Sequence, residues 1–339
     1  KVFNRSNVGV MLINRETMDM EQGGLNLVNG QHNRLVGIDY NLFSKDNRWT
    51  GKFFYHKTFE EGKRQNTGTG HAQLTFTDVN LMAGLSYSNV GENYNPLVGF
   101  TPRVGYQRIA PIMSYTFFPD SKLINRHGPG FESETLWTPS LGITDELHTL
   151  NYLIRLHSYA EVTFSVNNQY TYLFFPFDPT RTGGEPLAQG TSYRYNYFGI
   201  EMKTDPRKSF SLIGTGQAGQ YYNGNLANFM GTAQWRVGYT ANISMNLSYS
   251  RLRLPEPQKD VDLILIGPRF DLTFTRSLFW TTFIQYNNQI DNININTRLQ
   301  WRYAPVSDLF MVYTDNYFPD SFASKQRAFV MKLNYWLNL

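Results

Sequence analysis

The sequence predicts an all-β fold: a transmembrane antiparallel up-and-down β-barrel of about 18 strands, with 16 to 20 as the range, forming one domain over residues 1–339. Three observations predict this fold. Polar and apolar residues alternate in many segments, the connections alternate between short and long, and aromatic residues gather near segment ends. Short connections and both termini are expected on the periplasmic side of the membrane.

The clearest alternation lies in NININTRLQWRY, residues 292–303. Its apolar residues share one parity, broken only by Thr297, and its polar residues share the other. Successive side chains of a strand leave opposite faces, so a period of two is the strand period. The segment is therefore predicted to be a strand with one dry face and one wet face.

The same pattern recurs along the chain, for example in 241–250 and 327–339. It predicts about 18 strands of roughly 10–13 residues, longer than the usual globular strand of ~5–6 residues. No segment of ten residues or more has a clean helical period. The predicted strands begin near Asn7, His32, Arg48, Gly70, Leu81, Ile109, Phe131, Glu146, Ala160, Ser192, Ser209, Asn228, Ala241, Val261, Arg276, Asn292, Ser307 and Gln326.

The connections predict which ends of the strands lie together. Tight turns are predicted at 44–47, 204–208, 238–240, 274–277 and 304–308. Long loops are predicted at 16–30, 58–68, 90–108, 176–190, 254–260 and 316–324. This alternation is typical of an up-and-down sheet with one plain end and one elaborated end.

The number and length of the strands indicate which face points outward. A barrel of this size with its apolar face inward would enclose more space than these side chains can fill. The opposite arrangement places the apolar face against lipid and the polar face around a wet lumen. Closure is expected because each unpaired backbone group in lipid costs several kcal/mol. The predicted lumen-facing polar residues are Lys52, Arg236, Asn246, Asn294, Asn296, Arg298, Gln300, Arg302, Lys332 and Asn334.

Aromatic residues of outward parity lie close to the short connections and to the C-terminus. Rings of amphipathic aromatic residues at both interfaces are typical of membrane barrels, although aromatic residues also favour strands in general. The predicted girdle consists of Trp49, Tyr239, Trp280, Trp301, Tyr303 and Tyr335.

Composition and motifs argue against several other classes of protein. The net charge is +4 without a basic run, so nucleic acid is not an expected partner. Cysteine is absent, which excludes disulfides and thiolate metal sites.

The tract GTGQAG at 214–219 matches a dinucleotide-binding pattern only by letter, because no helix is predicted after it. We instead expect its small residues to open lumen space or to allow a bend. Neither a G-x-S-x-G motif nor a pair of histidines at metal-ligand spacing occurs. We expect no enzyme, no cofactor and no metal.

The residues that carry a resemblance to a known family lie in six segments: 7–15, 35–43, 94–103, 220–224, 284–289 and 296–316. They resemble a family of uncharacterised Gram-negative outer-membrane proteins, and NTRLQWRYAPVSDLFMVYTDN at 296–316 resembles the closing signature of that family. The resemblance covers most of the chain. It implies a C-terminal barrel domain of unknown function that usually follows a family 9 carbohydrate-binding-like domain. This sequence does not include that domain, so carbohydrate binding is not expected of these residues.

The predicted function is a porin-like channel or transport component of the outer membrane, narrowed by an inward loop at 90–108 or 176–190. The alternative is a non-conducting anchor for an upstream domain or for partner outer-membrane proteins; the lipid bilayer is the expected partner in both cases. The basic residues of the lumen set form either a wall that favours anions or ion pairs with Asp39, Glu201 or Asp271.

Overall fold

The computed structural model describes residues 5–21 and 24–337, and the side chains of these residues outside 18–31. Among the described residues, no helix is long and apolar enough to cross a membrane. The strands are β1 (Asn7–Glu21), β2 (Gly24–Phe43), β3 (Trp49–Glu60), β4 (Gly68–Thr77), β5 (Leu81–Val90), β6 (Tyr106–Tyr115), β7 (Ile124–Thr138), β8 (Gly142–Leu156), β9 (Glu161–Tyr172), β10 (Ser192–Lys203), β11 (Phe210–Tyr221), β12 (Gly224–Val237), β13 (Ala241–Arg253), β14 (Val261–Thr273), β15 (Leu278–Asn287), β16 (Asn292–Ala304), β17 (Ser307–Tyr317) and β18 (Ser324–Leu333).

Each strand pairs antiparallel with the next strand along the chain, from β1–β2 to β17–β18. The predicted all-β, up-and-down barrel-type sheet of about 18 strands is therefore confirmed. β1 begins and β18 ends at the same end of the sheet. In the described residues these two edge strands do not contact each other.

The two ends of the sheet differ in the length of their connections. The end where β1 begins, called the short-connection end, carries 44–48, 78–80, 116–123, 157–160, 204–209, 238–240, 274–277 and 305–306. The opposite end, called the long-connection end, carries 61–67, 91–105, 173–191, 254–260 and 318–323, together with the short 139–141, 222–223 and 288–291.

The predicted loop at 16–30 is wrong. β1 and β2 continue their pairing through this segment, with Met18 opposite Leu27 and Met20 opposite Leu25, after a register shift between Glu16 and Met18. The acidic and glycine-containing composition indicated a loop. Cross-strand backbone hydrogen bonds outweigh this weak local preference, because strand propensity depends on context.

The register divides the side chains between two faces. Directly opposed residues of neighbouring strands share a face, so continuous pairing lets one face be followed around the sheet. The face that carries Asn246 and Asn294 is called the polar face, and the face that carries Met245 and Ile295 is called the apolar face. The buried hydrophobic residues do not lie on the apolar face. They lie on the polar face or in connections: Leu35, Val90, Tyr94, Ala110, Leu173, Leu187, Tyr195, Leu252 and Leu254.

Candidate functional site on the polar face and its covering loops

The register places nine of the ten predicted lumen residues on the polar face, and the tenth, Asn334, lies beyond the last strand. Asn246 accepts a hydrogen bond from Thr232 Oγ1 at 2.7 Å, and Asn296 donates to Thr314 Oγ1 at 2.6 Å. Asn334 follows the end of β18, and its backbone N donates to the carbonyl of Asp308 at 2.9 Å. Ladders of small polar side chains thus cover this face, and their role as the wall of an aqueous lumen remains a prediction.

The basic residues of this set do not form the predicted ion pairs. Arg302 Nε lies 3.5 Å from Asp308 Oδ1, and Arg236 donates to the carbonyls of Pro206 and Lys208 in the connection 204–209. Two of the proposed acidic partners have other neighbours. Asp39 lies 3.5 Å from His56 Nε2, and Asp271 accepts from Arg269 Nε at 2.9 Å.

Three other residues of the basic set, Lys52, Arg298 and Lys332, form no ion pair with the residues that the structure describes. Lys52, Arg298 and Lys332 are therefore cations of the polar face without an acidic partner among the described residues. Glu201, the third proposed acidic partner, lies on the same face and likewise forms no ion pair with a described residue.

The predicted girdle residues all lie towards the short-connection end. Trp49, Trp280 and Trp301 project from the apolar face and are exposed. Tyr239 lies in the connection 238–240, and Tyr335 follows β18. The hydroxyl of Tyr303 donates to the carbonyl of Asn334 at 2.8 Å. Their contact with a membrane interface remains a prediction.

The tract 214–219 does not open lumen space in the way we predicted. Gly214, Gly216 and Ala218 pair with Gly231, Phe229 and Ala227 on the apolar face. The space left by these small residues therefore lies on the apolar face. The alternation of side chains along β11 places Gly214 and Gly216 on that face. The match to a G-x-G-x-x-G motif does not show which face the glycines occupy.

The connection 91–105 folds onto the polar face at strands β2 and β3. Asn33 Nδ2 donates to the Asn95 carbonyl at 2.8 Å, and Asn95 Nδ2 donates to Glu60 Oε2 at 3.0 Å. Tyr94 packs with Leu35 and Val90 in a buried cluster, and burial raises the pKa of its hydroxyl. The beginning of this loop is thus held by hydrogen bonds and by apolar packing.

Arg103 holds the other end of the same loop against β8. Its guanidinium donates to Asp145 Oδ2 at 2.6 Å and to Thr144 Oγ1 at 2.8 Å. The guanidinium carbon also lies 4.4 Å from the ring centre of Phe174, in the next long connection. A charge-assisted hydrogen bond and a cation–π contact therefore join β8 and both long connections at one side chain.

The connection 173–191 reaches a distant part of the sheet. The side chain of Gln289, in the β15–β16 connection, donates to the carbonyls of Thr180 and Arg181 at 3.4 and 3.1 Å. Near the base of this loop, Phe177 lies 5.2 Å from Tyr222, measured between ring centres. We call 91–105 and 173–191 the mouth loops, because together they connect β2–β3, β8 and β15–β16.

Asp178 organises the tip of the second mouth loop. Its carboxylate accepts hydrogen bonds from the hydroxyl and amide of Thr180 and from the amides of Thr182, Gly183 and Gly184. Burial alone would raise the pKa of Asp178, but these hydrogen bonds outweigh it and lower the pKa. The tip is therefore a folded turn with an ionised carboxylate at its centre.

Gly91 allows the first mouth loop to leave β5 next to the connection 61–67. A Cβ atom at Gly91 would lie 2.0 Å from the Asn66 carbonyl oxygen. We expect Gly91→Ala to displace this loop at a cost of ~1–3 kcal/mol, and to speed limited proteolysis within 91–105. Gly99→Ala is the control, because its nearest neighbouring atom would be 3.7 Å away. Equal cleavage of the two variants would contradict this prediction.

Comparison with known proteins gives similarity only at the level of structure. No protein-family model and no curated protein matches the sequence. The chain is similar to OmpT, an outer membrane protein of Vibrio cholerae in trimer form, with 10% identity and a TM-score of 0.38 over 96% of this chain and 95% of that chain. It is also similar to a mutant of the ferric enterobactin receptor PfeA of Pseudomonas aeruginosa, with 9% identity and a TM-score of 0.33 over 92% and 68% of the two chains. These similarities assign neither a function nor a partner to this chain.

Proposed function

We propose that the chain is an outer-membrane β-barrel with a porin-like, transport-related function, in which the mouth loops narrow a polar lumen. The main observation behind this proposal is that apolar and polar side chains lie on opposite faces of the sheet. Apolar-face side chains are largely exposed, including Leu12 at 74%, Phe198 at 67% and Leu150 at 62%. The polar face instead carries hydrogen-bonded Asn, Ser and Thr side chains.

An exposed apolar surface of this extent needs a nonpolar environment. Soluble monomers rarely expose contiguous apolar patches larger than a few hundred Å². Burying a Leu or Phe side chain contributes roughly 1.5–3 kcal/mol, and the apolar residues extend around the sheet from β1 to β18. A lipid bilayer around this face, with water on the polar face, satisfies both surfaces.

Conductance tests the channel, and the basic residues set its selectivity. We expect the purified protein to conduct ions in planar bilayers, with a preference for anions. Lys52→Gln combined with Arg298→Gln is expected to reduce the anion-to-cation permeability ratio, because both side chains lie on the polar face without a described ion-pair partner. Arg269→Gln combined with Asp271→Asn is the control, since it removes an ion pair of 2.9 Å on the same face without changing its net charge. An unchanged reversal potential in the double variant would refute the basic wall.

A second candidate function is a non-conducting anchor for an upstream domain or for partner proteins. The observation that favours it is the attachment of the first mouth loop at both ends, through Asn95 and Arg103, and of the second mouth loop through Gln289. The absence of conductance in a protein that inserts into the bilayer would select the anchor. The resemblance to barrels that follow a carbohydrate-binding-like domain agrees with such a role.

A further inference from the structure

A groove of about 650 Å³ crosses the apolar face of strands β3–β7. Its walls include Phe53, Leu74, Leu85, Met113 and Phe131, and Ala83 leaves space between them. Leu74, Leu85, Met113 and Phe131 are exposed on this face. The groove has the shape and chemistry to hold hydrocarbon.

A polar pocket of about 450 Å³ lies next to this groove, towards the long-connection end, and the two share Tyr87. Tyr55 and Lys57 line it from β3, Asn89 lines it from β5, and Arg64 lines it from the connection 61–67. Lys57 and Tyr55 lie opposite glycines on β4, and a Cβ at Gly68 would come within 2.5 Å of the Tyr55 hydroxyl oxygen. The glycines therefore keep the pocket open.

The pocket carries positive charge that its own lining does not neutralise. Its lining contains Lys57 and Arg64 but no carboxylate, and neither cation forms an ion pair with a described residue. The neighbouring Lys63, in contrast, pairs with Glu60 at 3.0 Å.

Other apolar-face arginines near the long-connection end are also paired. Arg34 pairs with Glu16 at 3.1 Å, and Arg327 pairs with Asp315 at 2.7 Å. Lys57 and Arg64, in contrast, have no acidic partner within ion-pair distance among the described residues, and they also line a neighbouring pocket that contains Glu60 and Glu61.

We infer that the pocket and the groove together bind a phosphorylated lipid of the surrounding bilayer. The phosphate accepts hydrogen bonds from Lys57 and Arg64, the hydroxyl of Tyr55 and the amide of Asn89 contact the rest of the headgroup, and an acyl chain occupies the groove. A lipid fits better than a free anion, because the cationic pocket opens directly onto an apolar groove. This inference rests on the proposed contact of the apolar face with lipid.

Binding of a short-chain lipid tests the site without requiring a membrane. Dioctanoyl phosphatidic acid is titrated into the full chain in a neutral detergent, and the rise in Tm reports binding. We expect saturable stabilisation by this lipid, and little or none by dioctanoylglycerol or inorganic phosphate. Lys57→Gln combined with Arg64→Gln should weaken binding at least about tenfold, because both charge-assisted contacts are lost. Ala83→Phe should weaken it by filling the groove.

The matched control is Lys122→Gln combined with Arg276→Gln. It makes the same charge change in the connections 116–123 and 274–277 at the short-connection end, and it should bind as the wild type does. Equal losses in the two double variants, no loss in the first, or equally strong binding of inorganic phosphate would overturn the inference. Flotation of each variant with phosphatidylcholine vesicles separates the two proposals, because a wild-type protein that does not float contradicts the membrane proposal itself.

Discussion

Met245→Arg is expected to destabilise the protein in liposomes by ~2–4 kcal/mol. Met245 lies in the middle of β13 on the apolar face, and 43% of its surface is exposed. In the proposed orientation, the substitution places a guanidinium in the hydrocarbon region, where neither water nor a counter-ion is available. Urea titration of the liposome-inserted protein, followed by tryptophan fluorescence, measures the change in the free energy of unfolding.

Ser248→Arg is the matched control, because it introduces the same side chain three residues away on the polar face of β13. In a wet lumen the new guanidinium stays hydrated, and we expect a change within about 0.5 kcal/mol. Equal destabilisation by the two substitutions would show that lipid does not cover the apolar face. A larger effect of Ser248→Arg would reverse the assignment of the two faces.

Arg103→Ala is expected to open the mouth. The variant loses the hydrogen bonds to Asp145 and Thr144 and the contact with Phe174. The side chains of Arg103 and Asp145 are 28% and 33% exposed, so solvent weakens their attraction and we expect a loss of ~1–2 kcal/mol. That loss raises the population of the open mouth by roughly 5–30-fold. Single-channel recordings should show longer or larger openings than in the wild type.

Arg48→Ala provides the control for this prediction. Arg48 forms ion pairs with Asp46 at 3.9 Å and with Asp78 at 3.6 Å, but it lies at the short-connection end, at the opposite end of the strands from the mouth loops. Its removal should leave the conductance unchanged. If Arg103→Ala conducts as the wild type does, or if both variants show the same increase, Arg103 does not hold the mouth closed.

Strand positions could be predicted closely because a strand in this sheet carries its own signal. β5, β10, β13, β14, β16 and β17 begin at the predicted residues Leu81, Ser192, Ala241, Val261, Asn292 and Ser307. Alternation within one strand is a local property, and a one-residue slip would exchange the two faces. Short turns precede β5, β13, β16 and β17, where each strand restricts the register of the next, whereas β10 and β14 follow the long connections 173–191 and 254–260.

Predictions were weaker where chain segments that are distant in sequence meet. The hairpin of β1 and β2 extends through a segment that looked like a loop, because pairing depends on the partner strand as well as on the segment itself. The role of Arg103 was missed for the same reason, since Asp145 lies 42 residues away. An arginine within a long loop that also contains aromatic residues was the available signal, but it did not identify the partner.

The sequence by itself determined the all-β class, the approximate number of strands, their up-and-down order and the two faces of the strongly alternating segments, because a period of two needs no information beyond neighbouring residues. Only the tertiary structure decided where the mouth loops attach and which cations lack acidic partners. Gln289 donates a hydrogen bond to the carbonyl of Arg181, 108 residues away in the chain. Such a contact depends on the arrangement of all the strands between the two residues, which no local sequence pattern describes.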